Sequence, residues 1–304
     1  MRVLRNFYSL PSVKEIVVFD LDAHKINSAK NDFPKVRVAE SVESIMQSDV
    51  NGIVIVTAPT ETHYQLGKQA LSSGKHVWLE KPLTCTLREA RDLIELARQK
   101  KLQLHVDHTL IYSVPMSFVS EVLTRGELGT VRSISMVRCN AKQLYVHRDV
   151  FWDLAYHDLS ILLFLFKGLP RLIDVQKDFL SNVVCHGRLN LKYTSGIDVT
   201  IEVGRVSPEK VRMITTTGSN GMLVYNDLDG VAPIKIYDTD GRLVAAPRLD
   251  LKEPLLTQAE QFVACVERNI QSKTNGETDL EIIALLEQIS GEHDGALATN
   301  FTQQ

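Results

Sequence analysis

Apolar residues in the first third of the chain follow two patterns in turn, short continuous runs and stretches with helical spacing. The continuous runs are typical of strands buried on both faces of a sheet and lie at 15–19, 52–57, 76–79 and 102–106. Helical spacing is found at 3–10, 41–46, 61–71 and 87–97. Strands that alternate with helices in this way predict βαβ units and a doubly wound, mostly parallel sheet over residues 1–109.

The pattern changes in the second part of the chain. A strand is predicted over 131–138, and a strongly apolar stretch of helical length follows over 150–166. Beyond this stretch the side chains alternate with period two, as at Val199, Ile201 and Val203, and glycines separate the alternating segments. These features predict several strands of a mostly antiparallel sheet.

Two further helices are predicted near the end of the chain, over 255–270 and 280–289. The residues after Gly291 have no periodic pattern and are expected to fray. Residues 110–304 are therefore predicted to form an α+β domain with helices on one face of its sheet and an open second face.

The composition narrows the class of protein. The 304 residues are 44% apolar and 23% charged, which is typical of a soluble globular protein. With 34 basic and 37 acidic residues the net charge is −3, so the basic excess of nucleic-acid-binding proteins is absent. The longest apolar run, 161–166, is far shorter than the roughly 20 residues of a membrane helix, and no secretory signal is found at the start. We expect a cytoplasmic protein with no membrane or nucleic-acid partner.

The first predicted strand ends in Asp20. An acidic residue at this place in a Rossmann sheet accepts hydrogen bonds from the adenosine ribose, which favours NAD over NADP; a plain surface turn is the alternative. The glycine-rich phosphate turn should lie about 20 residues earlier. No glycine precedes Gly52, however, and no G-x-G triplet occurs in the chain. The sequence thus predicts a Rossmann domain without its first strand, either a shortened reading of a longer gene or a compromised cofactor half.

Three motifs follow predicted strands or lie in the apolar stretch: I-V-T-A-P-T-E-T-H at 55–63, E-K-P at 80–82 and W-D-L-A-Y-H-D at 152–158. Together they resemble the Gfo/Idh/MocA family of nicotinamide-dependent sugar oxidoreductases. The third motif is most similar to the branch of UDP-N-acetylglucosamine (or its uronate) 3-dehydrogenases, although Tyr156 stands where that branch commonly has proline. The resemblance implies NAD(P)-dependent hydride transfer at a hydroxyl carbon of a sugar or sugar nucleotide of the UDP-N-acetylhexosamine type.

The resemblance also implies which residues contact the reactants, since ligands of open α/β sheets lie beyond the carboxyl ends of the strands. Those implied for the cofactor, NAD rather than NADP, are Asp20, Thr57, Pro59, Thr60, His63, Glu80, Lys81 and His108. Those implied for the substrate are Lys81, Tyr112, Arg138, Asp153 and His157. For Pro59 and Thr60 a turn and a helix cap are the alternative interpretation.

The catalytic residues that the resemblance implies are Lys81, Asp153 and His157. Lys81 would lie near the nicotinamide and a substrate hydroxyl, where its charge favours a developing alkoxide. His157 titrates near neutrality, so His157 or Lys81 would accept the hydroxyl proton, and Asp153 would bind the sugar or orient the imidazole. Arg138 could meet a phosphate or carboxylate of a sugar nucleotide. A structural His–Asp pair is the alternative for Asp153 and His157.

Other functions remain compatible with the sequence. The missing phosphate turn favours a cofactor-free binding or regulatory protein derived from such an enzyme, and loop changes could adapt the fold to a non-sugar substrate. A metal-assisted hydrolase or lyase would need further ligands such as His105, Asp107 or His108, and we expect no metal. Because the family uses the open sheet face for subunit contact, a homodimer or homotetramer is expected.

Overall fold

The computed structural model describes residues 1–49, 52–141 and 149–291, and its first part alternates strands and helices as predicted. The strands are β1 (Val17–Val18), β2 (Arg37–Val38), β3 (Ile53–Val56), β4 (His76–Leu79) and β5 (Leu104–Val106). The helices are α1 (Arg2–Tyr8), α2 (Ala23–Asp32), α3 (Val42–Met46), α4 (His63–Ser72) and α5 (Leu87–Lys100). A short 3-10 helix, Thr60–Thr62, precedes α4, and another, Thr109–Tyr112, follows β5.

The second part is the predicted α+β arrangement. Its strands are β6 (Val131–Ala141), β7 (Arg171–Leu180), β8 (Val183–Lys192), β9 (Asp198–Ser207), β10 (Val211–Gly218), β11 (Met222–Asn226), β12 (Ile234–Tyr237) and β13 (Leu243–Ala245). Its helices are α6 (Val114–Thr124), α7 (Tyr156–Phe166), α8 (Pro254–Arg268) and α9 (Glu277–Ser290).

The parallel strands form two separate sheets, β1–β2 and β3–β4–β5. In the doubly wound order 3-2-1-4-5-6, another strand would lie between β1 and β3, so the division falls where the sequence predicts a missing strand. Helix α1 packs across this division: Phe7 and Leu10 share one hydrophobic cluster with Ile16 before β1, Ile53 of β3 and Trp78 of β4.

The strands of the second part form one eight-stranded sheet in the order β13-β12-β11-β10-β6-β9-β8-β7. Every pair is antiparallel except β6 and β9, which run parallel. The apolar stretch predicted as a regular helix differs from expectation, because it begins with a π turn, Phe151–Ala155, before α7. Phe151 packs closely against the sheet here: a Cβ on Gly187 of β8 would lie 2.2 Å from its ring. The absence of a side chain at Gly187 therefore allows the π turn to approach the sheet.

The two parts pack against each other through the last helices. Phe262 of α8 contacts Trp78 of β4 edge to face, with ring centroids 5.6 Å apart, and α9 packs on α5 and α7. The boundary at residue 109 stays a prediction. The tail that was expected to fray lies outside the described residues. Within the described ranges, no helix combines the length and the hydropathy needed to cross a membrane.

Candidate functional site

Three parallel strands end side by side at the edge where β3, β4 and β5 meet the second part of the protein. The backbone N–H of Glu80 donates to the Val56 carbonyl (3.1 Å), and that of Asp107 donates to the Leu79 carbonyl (2.9 Å). The residues directly after each strand therefore lie next to one another, because parallel strands in register share a carboxyl edge.

Lys81, which follows β4, contacts the π turn of the second part. Its Nζ donates to the carbonyl oxygen of Asp153 (2.6 Å) and lies 3.2 Å from Asp153 Oδ1, across 72 residues of sequence. Burial lowers the pKa of Lys81, and the charges of Asp153 and Glu80 act against this effect. The structure thus brings together two of the three predicted catalytic side chains.

Asp153 is held from a second side by Arg205 of β9, whose Nη2 lies 2.9 Å from Asp153 Oδ2. Arg205 is buried, and its Nε has no hydrogen-bond partner among the residues that the structure describes. The sequence analysis did not select Arg205, although a signal was present: it continues the inward series Val199, Ile201, Val203 with a charged residue. The Asp153 carboxylate therefore lies between two cations.

His157 lies in the first turn of α7, four residues after Asp153. It was expected to titrate near neutrality, and this expectation is wrong: burial lowers its pKa well below 6.5, and the charges of Lys81 and Arg138 lower it further. His108 and Arg212 add to the same effect. The imidazole is therefore neutral at physiological pH and can accept a hydrogen bond.

Arg138 of β6 is bound to an internal carboxylate. Its Nε lies 3.0 and 2.9 Å from the two oxygens of Asp158, and its Nη2 lies 2.7 Å from Oδ1. Burial acts to lower the pKa of Arg138, but the charge and hydrogen bonds of Asp158, together with weaker effects of Asp227 and Tyr225, outweigh it and the pKa is raised. The bidentate geometry expected for a substrate anion is thus used by Asp158, which the sequence analysis left out, and a substrate role for Arg138 stays a prediction.

The turn after β3 offers an exposed surface at the same edge. Thr57 and Pro59 are exposed, whereas Thr60 is buried in the 3-10 helix. The ring nitrogens of His63 lie 2.9 Å from the Pro82 carbonyl and 3.0 Å from the Ala58 carbonyl. His63 therefore ties the first motif to the second, and the turn itself presents Thr57 and Pro59 outward.

Two carboxylic acids lie beside Lys81. Glu80 and Asp107 follow adjacent strands and are hydrogen-bonded to each other; burial, with the Asp107 charge second, raises the pKa of Glu80 to about 7. Burial also raises the pKa of Asp107, whose Oδ1 accepts a hydrogen bond from Thr109 Oγ1 (2.7 Å). This acid pair next to a predicted catalytic lysine was not anticipated from the sequence, where Asp107 was considered only as a metal ligand.

The two ring nitrogens of His108 differ in their contacts with the described residues. Its Nε2 lies 3.0 Å from Asp279 Oδ1, and Tyr156 donates to the same carboxylate. His108 Nδ1 is buried and has no hydrogen-bond partner in the described ranges. Tyr112, predicted to contact the reactants, lies with its hydroxyl 3.2 Å from Thr274 Oγ1, and burial raises its pKa to about 12.

Asp20 lies away from this edge, after β1 in the two-stranded sheet. Its Oδ1 accepts a hydrogen bond from the backbone N–H of Asp22 (2.9 Å), and its Oδ2 lies 3.5 Å from Lys25 Nζ. The carboxylate is exposed enough to meet a ribose hydroxyl. In the described part of the chain, no three His, Cys, Asp or Glu side chains are grouped as a metal site would require.

A nicotinamide cofactor fits the residues present at the edge. The orphaned His108 Nδ1 is a buried polar atom of the kind that native proteins rarely leave without a partner away from functional sites. The exposed turn of Thr57 and Pro59, the acid pair and Lys81 surround the same strand ends, and Asp20 ends another parallel strand.

Comparison with known proteins points to one family. The profile GFO_IDH_MocA, described as "Oxidoreductase family, NAD-binding Rossmann fold", matches residues 3–108. Scyllo-inositol 2-dehydrogenase (NADP(+)) IolW of Bacillus subtilis is 24% identical over 206 residues, 65% of this chain and 55% of that protein. UDP-N-acetylglucosamine 3-dehydrogenase of Acidithiobacillus ferrooxidans is 29% identical over 160 residues, 52% of this chain and 48% of that protein.

An uncharacterized oxidoreductase of Schizosaccharomyces pombe is 33% identical over 105 residues, 34% of this chain and 28% of that protein. The matched part of the chain thus spans between 28% and 55% of the length of these three relatives.

Solved structures share the fold over nearly the whole chain. UDP-N-acetylglucosamine 3-dehydrogenase GnnA from Acidithiobacillus ferrooxidans has a TM-score of 0.80 at 20% identity, covering 95% of this chain and 92% of that one. KijD10, a 3-ketoreductase from Actinomadura kijaniata in complex with TDP-benzene and NADP, has a TM-score of 0.84 at 19% identity, covering 94% and 91%. Residues 3–108 therefore match the Gfo/Idh/MocA model of NAD-binding Rossmann oxidoreductases, and the chain as a whole shares the fold of these solved structures.

Proposed function

We propose that this protein is an NAD(P)-dependent oxidoreductase that transfers a hydride between the nicotinamide and a hydroxyl carbon of a sugar or sugar nucleotide. The observation that carries the proposal is the contact of Lys81 Nζ with Asp153 (2.6 and 3.2 Å). It joins the strand edge that fits a nicotinamide to the segment that carries His157, so a substrate carbon between them would face both.

Lys81 and His157 divide the work on the reacting hydroxyl. A bound nicotinamide supplies the site that gives or accepts the hydride. The hydrogen bonds to Asp153 use two of the three ammonium protons of Lys81, and the third can reach a substrate oxygen. Burial and the surrounding cations disfavour the imidazolium form of His157, so we assign the proton to Lys81. During reduction the ammonium of Lys81 donates this proton to the oxygen, and during oxidation its neutral amine, favoured by burial, accepts the proton from the hydroxyl. His157 accepts a hydrogen bond from the hydroxyl.

The substrate class rests on the relatives and on the polar groups of the site. Two relatives are named for a polyhydroxylated ring, an inositol and a UDP-N-acetylhexosamine. Asp153 and His157 offer this chain acceptors for neighbouring hydroxyls of such a ring. Asp20 favours NAD over NADP, because a carboxylate accepts ribose hydroxyl protons and repels a 2′-phosphate.

Titration of the full chain with NADH, followed by nicotinamide fluorescence, tests the cofactor; turnover of NAD with UDP-N-acetylglucosamine and scyllo-inositol tests the substrate. Saturable NADH binding together with NADH formation from either compound supports the proposal. NADH binding without turnover of either compound would replace the sugar substrate by a non-sugar one. Absence of NADH binding would overturn the enzyme assignment.

A cofactor-free binding protein is the second candidate, since Lys81, Asp153 and Arg205 present polar groups to a ligand whether or not a dinucleotide is bound. In that case the polar side chains around Lys81 and Asp153 would bind a polyol without redox chemistry. The NADH titration separates the two candidates directly, because only the oxidoreductase needs the dinucleotide.

We also propose that the outer face of the eight-stranded sheet joins copies of the chain. Ile173 of β7, Val206 of β9 and Met213 of β10 are 53%, 51% and 37% exposed there. Apolar groups on one sheet face favour self-association through a two-fold axis. Light scattering should give the mass of two or four copies, and Ile173→Asp should lower it; a monomeric mass for the wild type would contradict this proposal.

A further inference from the structure

His108, Tyr156 and Asp279 form a buried polar cluster beside the proposed site. Their exposed fractions are 1%, 0% and 0%, and they come from three separate segments, the end of β5, the start of α7 and the first turn of α9. Polar groups removed from water lose free energy unless they are hydrogen-bonded, so such a cluster needs partners for every atom.

Asp279 supplies the charge of the cluster. It lies in the first turn of α9, where the helix dipole stabilises an anion. The hydroxyl of Tyr156 donates a hydrogen bond to Oδ1 of Asp279. Burial together with the Asp279 charge raises the pKa of Tyr156 well above its usual value. The phenol therefore stays protonated and remains a donor, and Asp279 accepts.

The same carboxylate determines which nitrogen of His108 carries the proton. Nε2 lies 3.0 and 3.1 Å from the two oxygens of Asp279, and a carboxylate only accepts hydrogen bonds, so Nε2 is the protonated nitrogen. In the neutral ring Nδ1 then carries a lone pair. The ring is stacked on Tyr156, with centroids 5.8 Å apart and an angle of 14° between the planes, which restricts its rotation.

Nδ1 of His108 is the atom of this cluster for which the described residues supply no partner. It is buried and has no hydrogen bond to any residue that the structure describes. The site is close by, since His108 directly follows Asp107, whose backbone N–H donates to the carbonyl of Leu79, two residues before Lys81. A buried acceptor without a donor is unfavourable, and a donor from a bound reactant would remove this cost.

We propose, on the basis of the function above, that Asp279 is a positioning residue: it holds His108 as the Nε2–H tautomer, so that Nδ1 accepts a hydrogen bond from the reactants. Tyr156 completes the arrangement by binding the same carboxylate and stacking on the ring. The required donor is an N–H or O–H group. Either the nicotinamide carboxamide or a substrate hydroxyl provides this chemistry.

Nitrogen spectra of the full chain labelled with ¹⁵N-histidine test the tautomer directly, with His108→Gln used to assign the signals. We expect Nε2 of His108 protonated and Nδ1 bare. A shift of the Nδ1 signal with NADH alone identifies the carboxamide as donor, and a shift only with NADH and substrate together identifies the hydroxyl. A protonated Nδ1 in the free protein, or an Nδ1 signal that moves in neither complex, would overturn the proposal.

Asp279→Asn should populate the Nδ1–H tautomer of His108. It should also weaken binding of NADH or of the substrate, whichever the spectra identify as the donor, by about fivefold to tenfold, the effect of one hydrogen bond. Glu277→Gln, which removes an exposed charge from the same helical turn, should change neither the tautomer of His108 nor the binding affinity. If the asparagine variant does not fold, the wild-type tautomer still decides the role of Asp279. If the wild type binds no NADH, the proposed function fails, whereas the tautomer of the free protein is unaffected by that result.

Discussion

The two parallel sheets of the first part differ in how firmly the rest of the protein holds them. In the three-stranded sheet, Val77, Trp78 and Leu79 of β4 are 0% exposed. In the two-stranded sheet, Val17 of β1 and Val38 of β2 are 41% and 42% exposed. The strands that end at Lys81 and His108 are thus core strands, and the strand that ends at Asp20 lies near the surface.

The difference comes from the second part of the protein, which packs closely on the three-stranded sheet and less closely on the two-stranded sheet. The backbone N–H of Val106 donates to the Thr274 carbonyl (2.8 Å), and Phe262 contacts Trp78. Asp20, by contrast, is placed by a local turn to Asp22 and by an exposed ion pair with Lys25, which stabilises little. Lys81 and His108, which are proposed to contact the reactants, are therefore positioned by tertiary contacts. Asp20, which is proposed to bind the ribose, is positioned by its own turn.

The strongest test of this contrast is Lys81→Met. We expect turnover to fall by about 10³-fold or more, because the cation and proton donor at the reacting oxygen are lost, while NADH affinity changes by less than about tenfold. Steady-state rates and NADH titration measure the two quantities. Lys68→Met, at an exposed lysine of α4, is the control. Wild-type turnover in the Lys81 variant would remove Lys81 from the mechanism.

Core truncation should separate the two sheets by stability. Leu79→Ala in β4 should lower the free energy of unfolding by about 2–5 kcal/mol, because it leaves a cavity in a fully buried strand. Val17→Ala in β1 should cost less than about 1 kcal/mol, because the side chain already contacts water. Urea unfolding measures both. Equal losses would show that the two-stranded sheet is held as firmly as the other.

The elements that sequence periodicity could predict are those with a buried apolar face. Strand β4 was predicted with its observed bounds, whereas α2 and β2 were not predicted. In α2 only Ala29 is buried, and both residues of β2 are exposed, so neither element has an apolar pattern to detect. The π turn was missed for another reason: its backbone depends on how Phe151 packs against Gly187, which lies far away in sequence.

The site was predictable where a local motif marks it and not where distant residues pair. The motifs identified Lys81 and Asp153, which the structure brings into contact. The partner of His108, Asp279, is 171 residues away and is followed by an ordinary amphipathic helix, so no local signal could associate the two. The lowered pKa of His157 likewise arises first from burial and then from the charges of Lys81 and Arg138 on other segments.

A smaller effect concerns the acid pair at the edge of the three-stranded sheet. Burial raises the pKa of Glu80 from 4.5 to about 7, so this carboxyl binds its proton more tightly in the folded state. Its contribution to stability is full below pH 4.5 and is lost as the pH rises to about 7, by up to about 3 kcal/mol at 1.36 kcal/mol per pKa unit. Glu80→Gln should lack this loss.

Urea unfolding of the wild type and of Glu80→Gln at about pH 5 and about pH 8 measures this loss of stability. Glu43→Gln, an exposed charge in the first turn of α3, should keep the wild-type dependence. A wild type equally stable at both pH values would rule out a raised Glu80 pKa.

The smallest effect is expected at the two-stranded sheet, where Asp20→Ser should change cofactor preference without changing the fold. Removing the carboxylate removes its repulsion of a 2′-phosphate, so the ratio of NADP to NAD affinity should rise by about tenfold, or 1.4 kcal/mol. Competitive titration of both dinucleotides measures the ratio, with Asp32→Asn at the end of α2 as the control. If the ratio is unchanged, Asp20 does not contact the ribose, and its role is limited to the turn with Asp22. In that case the two-stranded sheet would contribute shape to the cofactor site but no recognition.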